Sequence, residues 1–449
     1  MKAANTHIYF LGIGGIGMSA LARYYKNLGY EVAGYDLTPS TLTQQLENEG
    51  MHIHYHEEVS KIPPQTQWVV YTPAIPADNK ELVYCLKNFT TIKRAELLGN
   101  LSREHNTIAV AGTHGKTSIS ALVAHLLKNA GKEITAFVGG ITNNYKSNLI
   151  LSPTTDIFVV EADEFDRSFL RLHPQVAIVS SMDADHLDIY QNHDALKSTF
   201  LEFASQVDPK GLLIYHHTLE KYFNEIPNKL SYGAYPEAGF SAKDICVQDH
   251  RFTFTIKTPE IEITDLWLQV PGLHYIENAL AAVAAVSQFG LTPGEIKEGL
   301  STFSGVERRF EIRKTTGSKV LIDDYAHHPE EIRVTIEAVK RLYPEKRILG
   351  LFQPHLYSRT RDFADDFAKA LQTLDIVALL PIYPAREKPM EGVSSELLLT
   401  KMNHPAKFLV SKENLESFIL SQNFDILLMM GAGDIGLVVT QIEKILALC

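Results

Sequence analysis

Apolar positions along the chain come in short runs that end in glycine or polar residues and alternate with stretches of helical period. His7–Leu11 is one such run, followed by Gly12-Ile-Gly14-Gly15-Ile16-Gly17 and a helical stretch over Met18–Leu28. Glu31–Tyr35, ending at Asp36, and Trp68–Tyr71 predict further strands. The pattern restarts at Thr107–Ala111, which runs into Gly112-Thr-His-Gly-Lys-Thr117 and a helix over Ser118–Asn129 with Leu122, Leu126 and Leu127 on its apolar face. Strands are expected at Ile157–Val160 and Val176–Ser180, and the period shortens to two between Leu230 and Trp267, as in Arg251–Ile256, before a helix over Tyr275–Phe289. A third start follows Lys314: strand Val320–Ile322, a helix from Pro329 carrying Ile332, Ile336 and Val339, then strands at Ile348–Phe352, Ile376–Leu380, Lys407–Val410 and Ile426–Met430. Strands alternating with helices predict an α/β fold with parallel sheets. The 449 residues divide at the two restarts into three domains, 1–105, 106–313 and 314–449.

Charge narrows the function. With 42 basic and 53 acidic residues the chain carries a formal net charge of −11, which disfavours a nucleic-acid backbone as partner. Small anions remain compatible, because backbone N–H groups and a few local cations bind phosphate in an acidic protein. The three cysteines, Cys85, Cys246 and Cys449, are too dispersed for a disulfide framework or a metal ribbon. The chain has no apolar segment of the ~18 residues that span a bilayer and no signal-peptide architecture, so a cytoplasmic location is expected, with no membrane partner and no obligate protein partner implied.

Gly112–Thr117 is the most informative stretch. Its glycines let backbone N–H groups approach a polyphosphate, Lys116 is placed for the β/γ oxygens, Thr117 for Mg²⁺, and Thr113, His114 and Ser118 flank them. The position five before the second glycine is Val110, so the loop is a shortened P-loop. An acidic cluster, Glu161-Ala-Asp163-Glu164, ends the strand Ile157–Val160, where a Mg²⁺ ligand belongs, and Asp183-Ala-Asp185-His186 ends the next. The spacing of Gly12, Gly14 and Gly17, with Asp36 beyond, also fits a dinucleotide fingerprint. It recurs at Gly431, Gly433 and Gly436, and two such loops around an ATP-type loop suit a single nicotinamide enzyme poorly. In the last third, His327 and His328 follow one strand, and His355, Arg359 and Arg361 another. Both groups fall at the carboxyl edge of the expected sheet, and arginine there can grip a carboxylate. Arg361 beside Asp362 reads as a solvated helix start. The alternating His52, His54 and His56 are expected to form a solvated face, and His216-His217 a loop.

Taken in order, Gly12–Met18, Gly112–Thr117, Glu161–Glu164, Asp185-His186, His274–Asn278, Arg308-Arg309-Phe310, Asp323–Pro329 and Phe352–Arg359 resemble the motif series of the Mur ligases. The resemblance covers essentially the whole chain. It implies a Rossmann-like amino-terminal domain for a UDP-sugar, a central P-loop ATPase-type domain, and a Rossmann-like carboxy-terminal domain for an amino acid. The implied activity is ATP- and Mg²⁺-dependent ligation of L-alanine to the lactyl carboxylate of UDP-N-acetylmuramate through an acyl phosphate, in peptidoglycan precursor synthesis. By motif, Gly14, Gly15, Ile16 and Gly17 would hold the sugar nucleotide. Gly112–Ser118, Asn278 and Arg308 (Arg309 as substitute) would hold ATP, and Thr117, Glu161 and His186 the metal. His327, His355 and Arg359 would bind the amino acid, with Lys116, His327 and Arg359 carrying the catalysis. Three ligands on three domains would require closure during turnover. Phe165 replaces a frequent Ser, and Leu356 stands where many members carry a further Arg, leaving Arg359 as the carboxylate anchor.

Overall fold

A computed structural model describes residues 6–183, 190, 192–313, 319–385 and 387–446 of the chain. The runs read as strands are strands in it. They form two compact units, one of residues 1–243, 255–264 and 277–303, the other of residues 244–254, 265–276 and 304–449.

The first unit opens with a parallel sheet in the order His52–His54, Glu31–Tyr35, His7–Leu11, Thr66–Tyr71, Thr90–Lys93. Strand order reverses direction at His7–Leu11, and the crevice beyond the carboxyl ends at such a switch point is where open α/β sheets bind ligands. Gly12–Gly17 leaves the sheet there and enters the helix Ile16–Asn27, two residues earlier than the apolar period alone suggests. Glycine at 12, with φ +86°, makes the turn, and helical geometry begins at Ile16, with Gly17 already in the first turn.

Of a ten-stranded sheet, the strands that lie wholly in this unit run Lys229–Gly233, Leu212–His216, Val176–Val179, Asn106–Ala111, Ile157–Glu161, Ile134–Thr142, Ser147–Leu151. All neighbours are parallel except the last pair. Asn106–Ala111 is therefore flanked by Ile157–Glu161 and Val176–Val179, with Val110 beside Glu161 and Ala111 beside Val179. This register delivers the acidic cluster and Ser180–Asp183 to the glycine loop. The helix after that loop, Lys116–Asn129, is buried at every position from Thr117 to Leu127, so its core-facing surface is wider than the leucine stripe alone indicates. Strands Phe240–Gln248, Arg251–Lys257 and Glu262–Leu268 account for the period-two stretch, and helix Leu273–Ser287 follows.

The second unit holds a sheet ordered Glu311–Arg313, Val320–Asp324, Ile426–Met430, Ile348–Phe352, Ile376–Leu379, Lys407–Leu409, parallel except at its first edge. Asp324, Met430 and Phe352 stand side by side. Three loops leave that edge together: Tyr325–His328, Gly431–Gly433 and Gln353–Leu356. Leu321, Leu349, Leu351 and Met429 fill the core beneath them.

Candidate active site

The glycine loop meets the acidic cluster directly. Gly115, at φ +83°, is the N-cap of helix Lys116–Asn129, a left-handed position that a side chain rarely takes. Lys116 Nζ donates to the Gly112 carbonyl at 2.6 Å and to Glu164 Oε1 at 2.9 Å. Burial works against the lysine charge, but Glu164, Glu161 and Asp163 outweigh it and hold the pKa above its ordinary value. Thr117 Oγ1 donates to Glu161 Oε1 at 3.0 Å, and Glu161 Oε2 accepts from Gly139 N at 2.8 Å. A hydroxyl and a carboxylate oxygen so placed form a hard-oxygen pair suited to Mg²⁺. Ser118 is buried in the first turn. Ser181 buttresses the loop: its Oγ accepts from His114 N at 2.8 Å and lies 2.9 Å from Thr113 Oγ1, while Ser180 Oγ donates to the His114 carbonyl. Asp183 pairs with His114 Nε2 at 3.5 Å. Asn278 arrives from helix Leu273–Ser287, and its Oδ1 lies within 2.9 Å of where a side-chain carbon at position 115 would stand. His186, expected at the metal, lies outside the described residues.

At the amino-terminal loop, Gly15 and Ile16 are exposed while Gly14 and Gly17 are half-buried. Asp36 does not stand ready for a ribose. Its Oδ2 accepts from Gly14 N at 2.8 Å and its Oδ1 from Thr38 N at 3.2 Å, so the carboxylate closes the loop. Helix geometry leaves the N–H groups of Ile16 and Gly17 without intrahelical acceptors, an arrangement that suits an anion. The histidine alternation is not a uniformly solvated face: His54 Nε2 lies 2.8 Å from Oε1 of the fully buried Glu81, whose Oε2 accepts from the Tyr9 hydroxyl at 2.5 Å. Burying Glu81 requires such partners, and His54 is drawn in to supply one. His216 likewise ends a strand instead of lying in a loop, 3.3 Å from Glu277 Oε1.

In the second unit, the loops Tyr325–His328 and Gln353–Leu356, with the helix Tyr357–Asp362 that follows the latter, bring His327, His355 and Arg359 together. His327 and His355 have ring centroids 6.1 Å apart, and Arg359 Nη1 lies 3.5 Å from His355 Nδ1. His327 Nδ1 is 3.0 Å from the Tyr325 carbonyl and 3.3 Å from Glu331 Oε2. Both neighbours accept, so Nδ1 carries the proton and Nε2 is the basic atom of the neutral ring. Glu331 also accepts from the N–H groups of His327 and His328, closing a capping box with His328 at the N-cap of helix Pro329–Leu342. His355 stacks on Tyr383 at 5.7 Å, and Glu387 accepts from the N–H and hydroxyl of Ser358. Arg361 is exposed and pairs with Asp362. The arginines expected at a nucleotide are tied into this unit. Arg308 Nη2 donates to the Gly431 carbonyl at 2.5 Å and its Nε lies 3.4 Å from Asp323, while Arg309 packs over Tyr325. Asp323 and Asp324 are buried, which pushes their pKa values up to about 6 and about 7 against the pull of Arg308 and Arg309. Gly431–Gly436 is a tight junction here, buttressed by Gln353, which accepts from Ile435 N at 2.8 Å and donates to Asp434 at 2.7 Å.

Arg94, Ser181, Glu331, Tyr383 and Glu387 were not singled out by the sequence. Only Glu331 carried a local signal, three residues after His328 at the start of a helix.

Three family profiles match the chain in order: "Mur ligase family, catalytic domain" over 7–106, "Mur ligase middle domain" over 110–286, and "Mur ligase, glutamate ligase domain" over 308–433. The chain is 46% identical to the UDP-N-acetylmuramate–L-alanine ligase of Christiangramia forsetii, over 98% of its own length and 97% of the relative's. It is 46% identical to the same-named protein of Flavobacterium johnsoniae, over 98% of each chain. Among solved structures, the UDP-N-acetylmuramate–alanine ligase of Thermotoga maritima superposes with a TM-score of 0.83 at 28% identity, covering 98% of this chain and 99% of that one. A murein peptide ligase from Psychrobacter arcticus shares the fold, with a TM-score of 0.71 at 22% identity over 98% and 99% of the two chains.

Proposed function

The chain belongs to the Mur ligase family, and from that premise we propose that it joins L-alanine to the lactyl carboxylate of UDP-N-acetylmuramate at the expense of ATP. The observation that carries the reading is the meeting of Lys116 and Thr117 with the Glu161–Glu164 cluster, a site built for polyphosphate and a hard cation.

A carboxylate is a poor electrophile. Its oxygen attacks the γ-phosphorus of ATP, the bond to the β–γ bridging oxygen breaks, and ADP leaves an acyl phosphate. Lys116 offsets the charge spread over the transferring phosphoryl oxygens, and the backbone N–H groups of Gly112–Ser118 orient the chain of phosphates. Thr117 and Glu161 would hold Mg²⁺, which supplies further charge neutralisation when bound. Asn278, beside Gly115, is placed for the nucleotide. Gly14–Gly17 hold the diphosphate of the sugar nucleotide, through the N–H groups of Ile16 and Gly17.

Arg359 grips the alanine carboxylate, with His355 beside it. The amine must attack neutral. Nε2 of His327 accepts its proton, the tautomer being fixed by the Tyr325 carbonyl. Collapse of the tetrahedral adduct breaks the C–O bond and releases phosphate. The reading places the reaction in the cytoplasm, where ATP is supplied. ¹⁸O in the lactyl carboxylate tests the chemistry: the account expects one labelled oxygen in the released phosphate, and unlabelled phosphate would remove the acyl phosphate from it.

A further inference from the structure

Arg94 occupies the ground between the sugar-nucleotide loop and the acidic cluster. It is the first residue of the helix Arg94–Arg103 and follows the strand Thr90–Lys93, so it leaves the same carboxyl edge as Gly12–Gly17, across the switch point. Its guanidinium reaches back to the first turn of helix Ile16–Asn27: a side-chain carbon at position 17 would stand 2.7 Å from its Nη1. Gly17 thus leaves room for the Arg94 guanidinium. On its other side, Arg94 Nη2 pairs with Asp163 Oδ2 at 3.3 Å. Asp163 is held in place by its own turn, its Oδ1 accepting from Phe165 N, and lies between Glu161, which meets Thr117, and Glu164, which meets Lys116.

This arrangement poses an electrostatic problem and contains its answer. An anionic substrate seated on the N–H groups of Ile16 and Gly17 approaches three carboxylates of the 161–164 segment. The first turn of the loop's helix contributes no acidic residue and no cation of its own. Arg94 is the cation that touches both sides, and it is only one-fifth exposed, so its charge acts at reduced dielectric.

We propose that Arg94 is a binding residue for the sugar nucleotide: its guanidinium holds an oxyanion of the ligand seated at Gly14–Gly17, and its pairing with Asp163 keeps the fork aimed at that seat and shields the ligand from the acidic cluster. The proposal rests on the reading that the substrate is a UDP-linked sugar acid. The shared chemistry is a phosphate or carboxylate oxygen on a planar, forked donor.

The test is equilibrium binding of UDP, UDP-N-acetylglucosamine and UDP-N-acetylmuramate to wild type, Arg94→Ala and Arg94→Lys, with ATP binding measured on each. Charge-assisted hydrogen bonds of this kind predict a loss of roughly 10–100-fold for Arg94→Ala, smaller for Arg94→Lys, with ATP affinity kept. Equal loss across the three ligands assigns the contact to the diphosphate, which all share. Loss confined to UDP-N-acetylmuramate assigns it to the lactyl carboxylate, which the other two lack. Unchanged binding of all three overturns the role of Arg94, as does parallel loss of ATP, which would make the residue part of the general fold. A wild-type protein that ignores UDP-N-acetylmuramate overturns the functional reading, and the role of Arg94 falls with it.

Discussion

Lys116 shows how much one side chain is asked to do. It sits in a buried pair with Glu164, whose carboxylate is fully buried. Removing the lysine takes the opposite charge away from that buried carboxylate, so Lys116→Met should cost about 3–5 kcal/mol of stability as well as ~10²–10³-fold in kcat. The double variant Lys116→Met/Glu164→Gln separates the two effects. Unfolding midpoints should recover towards wild type while turnover does not, and recovery of turnover would take Lys116 out of the chemistry. Arg359 answers to a different measurement. As the carboxylate grip, Arg359→Ala should raise the KM for L-alanine by roughly 10–100-fold and leave the KM for ATP unchanged. At this scale the sequence was legible where chemistry and spacing coincide: Lys116 and Thr117 meet the Glu161–Glu164 cluster, and His355 lies beside both His327 and Arg359. Arg94 and His54 were not, because their roles depend on partners 69 and 27 residues away, Asp163 and Glu81, and no local pattern records such a pairing.

Among the elements, the strand Val320–Asp324 is the most informative. It ends in two buried aspartates, with Arg308 Nε 3.4 Å from Asp323 Oδ2. Folding raises their pKa values from 3.8 to about 6 and about 7. Over that window the native chain holds protons that the unfolded chain has released. The stability these two groups contribute is therefore full in acid and falls as pH rises from about 4 to about 7. Asp323→Asn removes its share, so the difference in unfolding midpoint between pH 4 and 7 should shrink by about 2–4 °C. An unchanged difference would show that Asp323 titrates normally. Strand and helix positions were readable from period and glycine placement, and the strands His7–Leu11, Glu31–Tyr35, Ile348–Phe352 and Ile426–Met430 have the expected bounds. Which strands stand side by side was not readable. Ile157–Glu161 and Val176–Val179 flank Asn106–Ala111 through crossovers, and that order alone brings Glu161 and Ser181 to one loop.

For the whole molecule, one rule recurs in three sheets: chemistry collects where parallel strands end. The dipole of each following helix and its unpaired N–H groups favour anions at that edge, which is why an acidic chain of net charge −11 can be built around anionic ligands. The anions differ by sheet. The amino-terminal loop offers Ile16 and Gly17 with Arg94 behind them, the P-loop offers Lys116, and the last sheet offers Arg359 beside His355. No helix among the described residues is long and apolar enough to cross a membrane. The amino-acid pocket will be imperfectly selective, because a single methyl group is worth only about 10–200-fold in discrimination. The most direct test is phosphate release from ATP and Mg²⁺ in the presence of UDP-N-acetylmuramate, with L-alanine, glycine, L-serine or the murein tripeptide added in turn. The account predicts release that requires both the sugar nucleotide and an amine, fastest with L-alanine, and a product of the mass of the alanyl amide. Release that ignores every amine, or that strongly prefers the tripeptide, would contradict it.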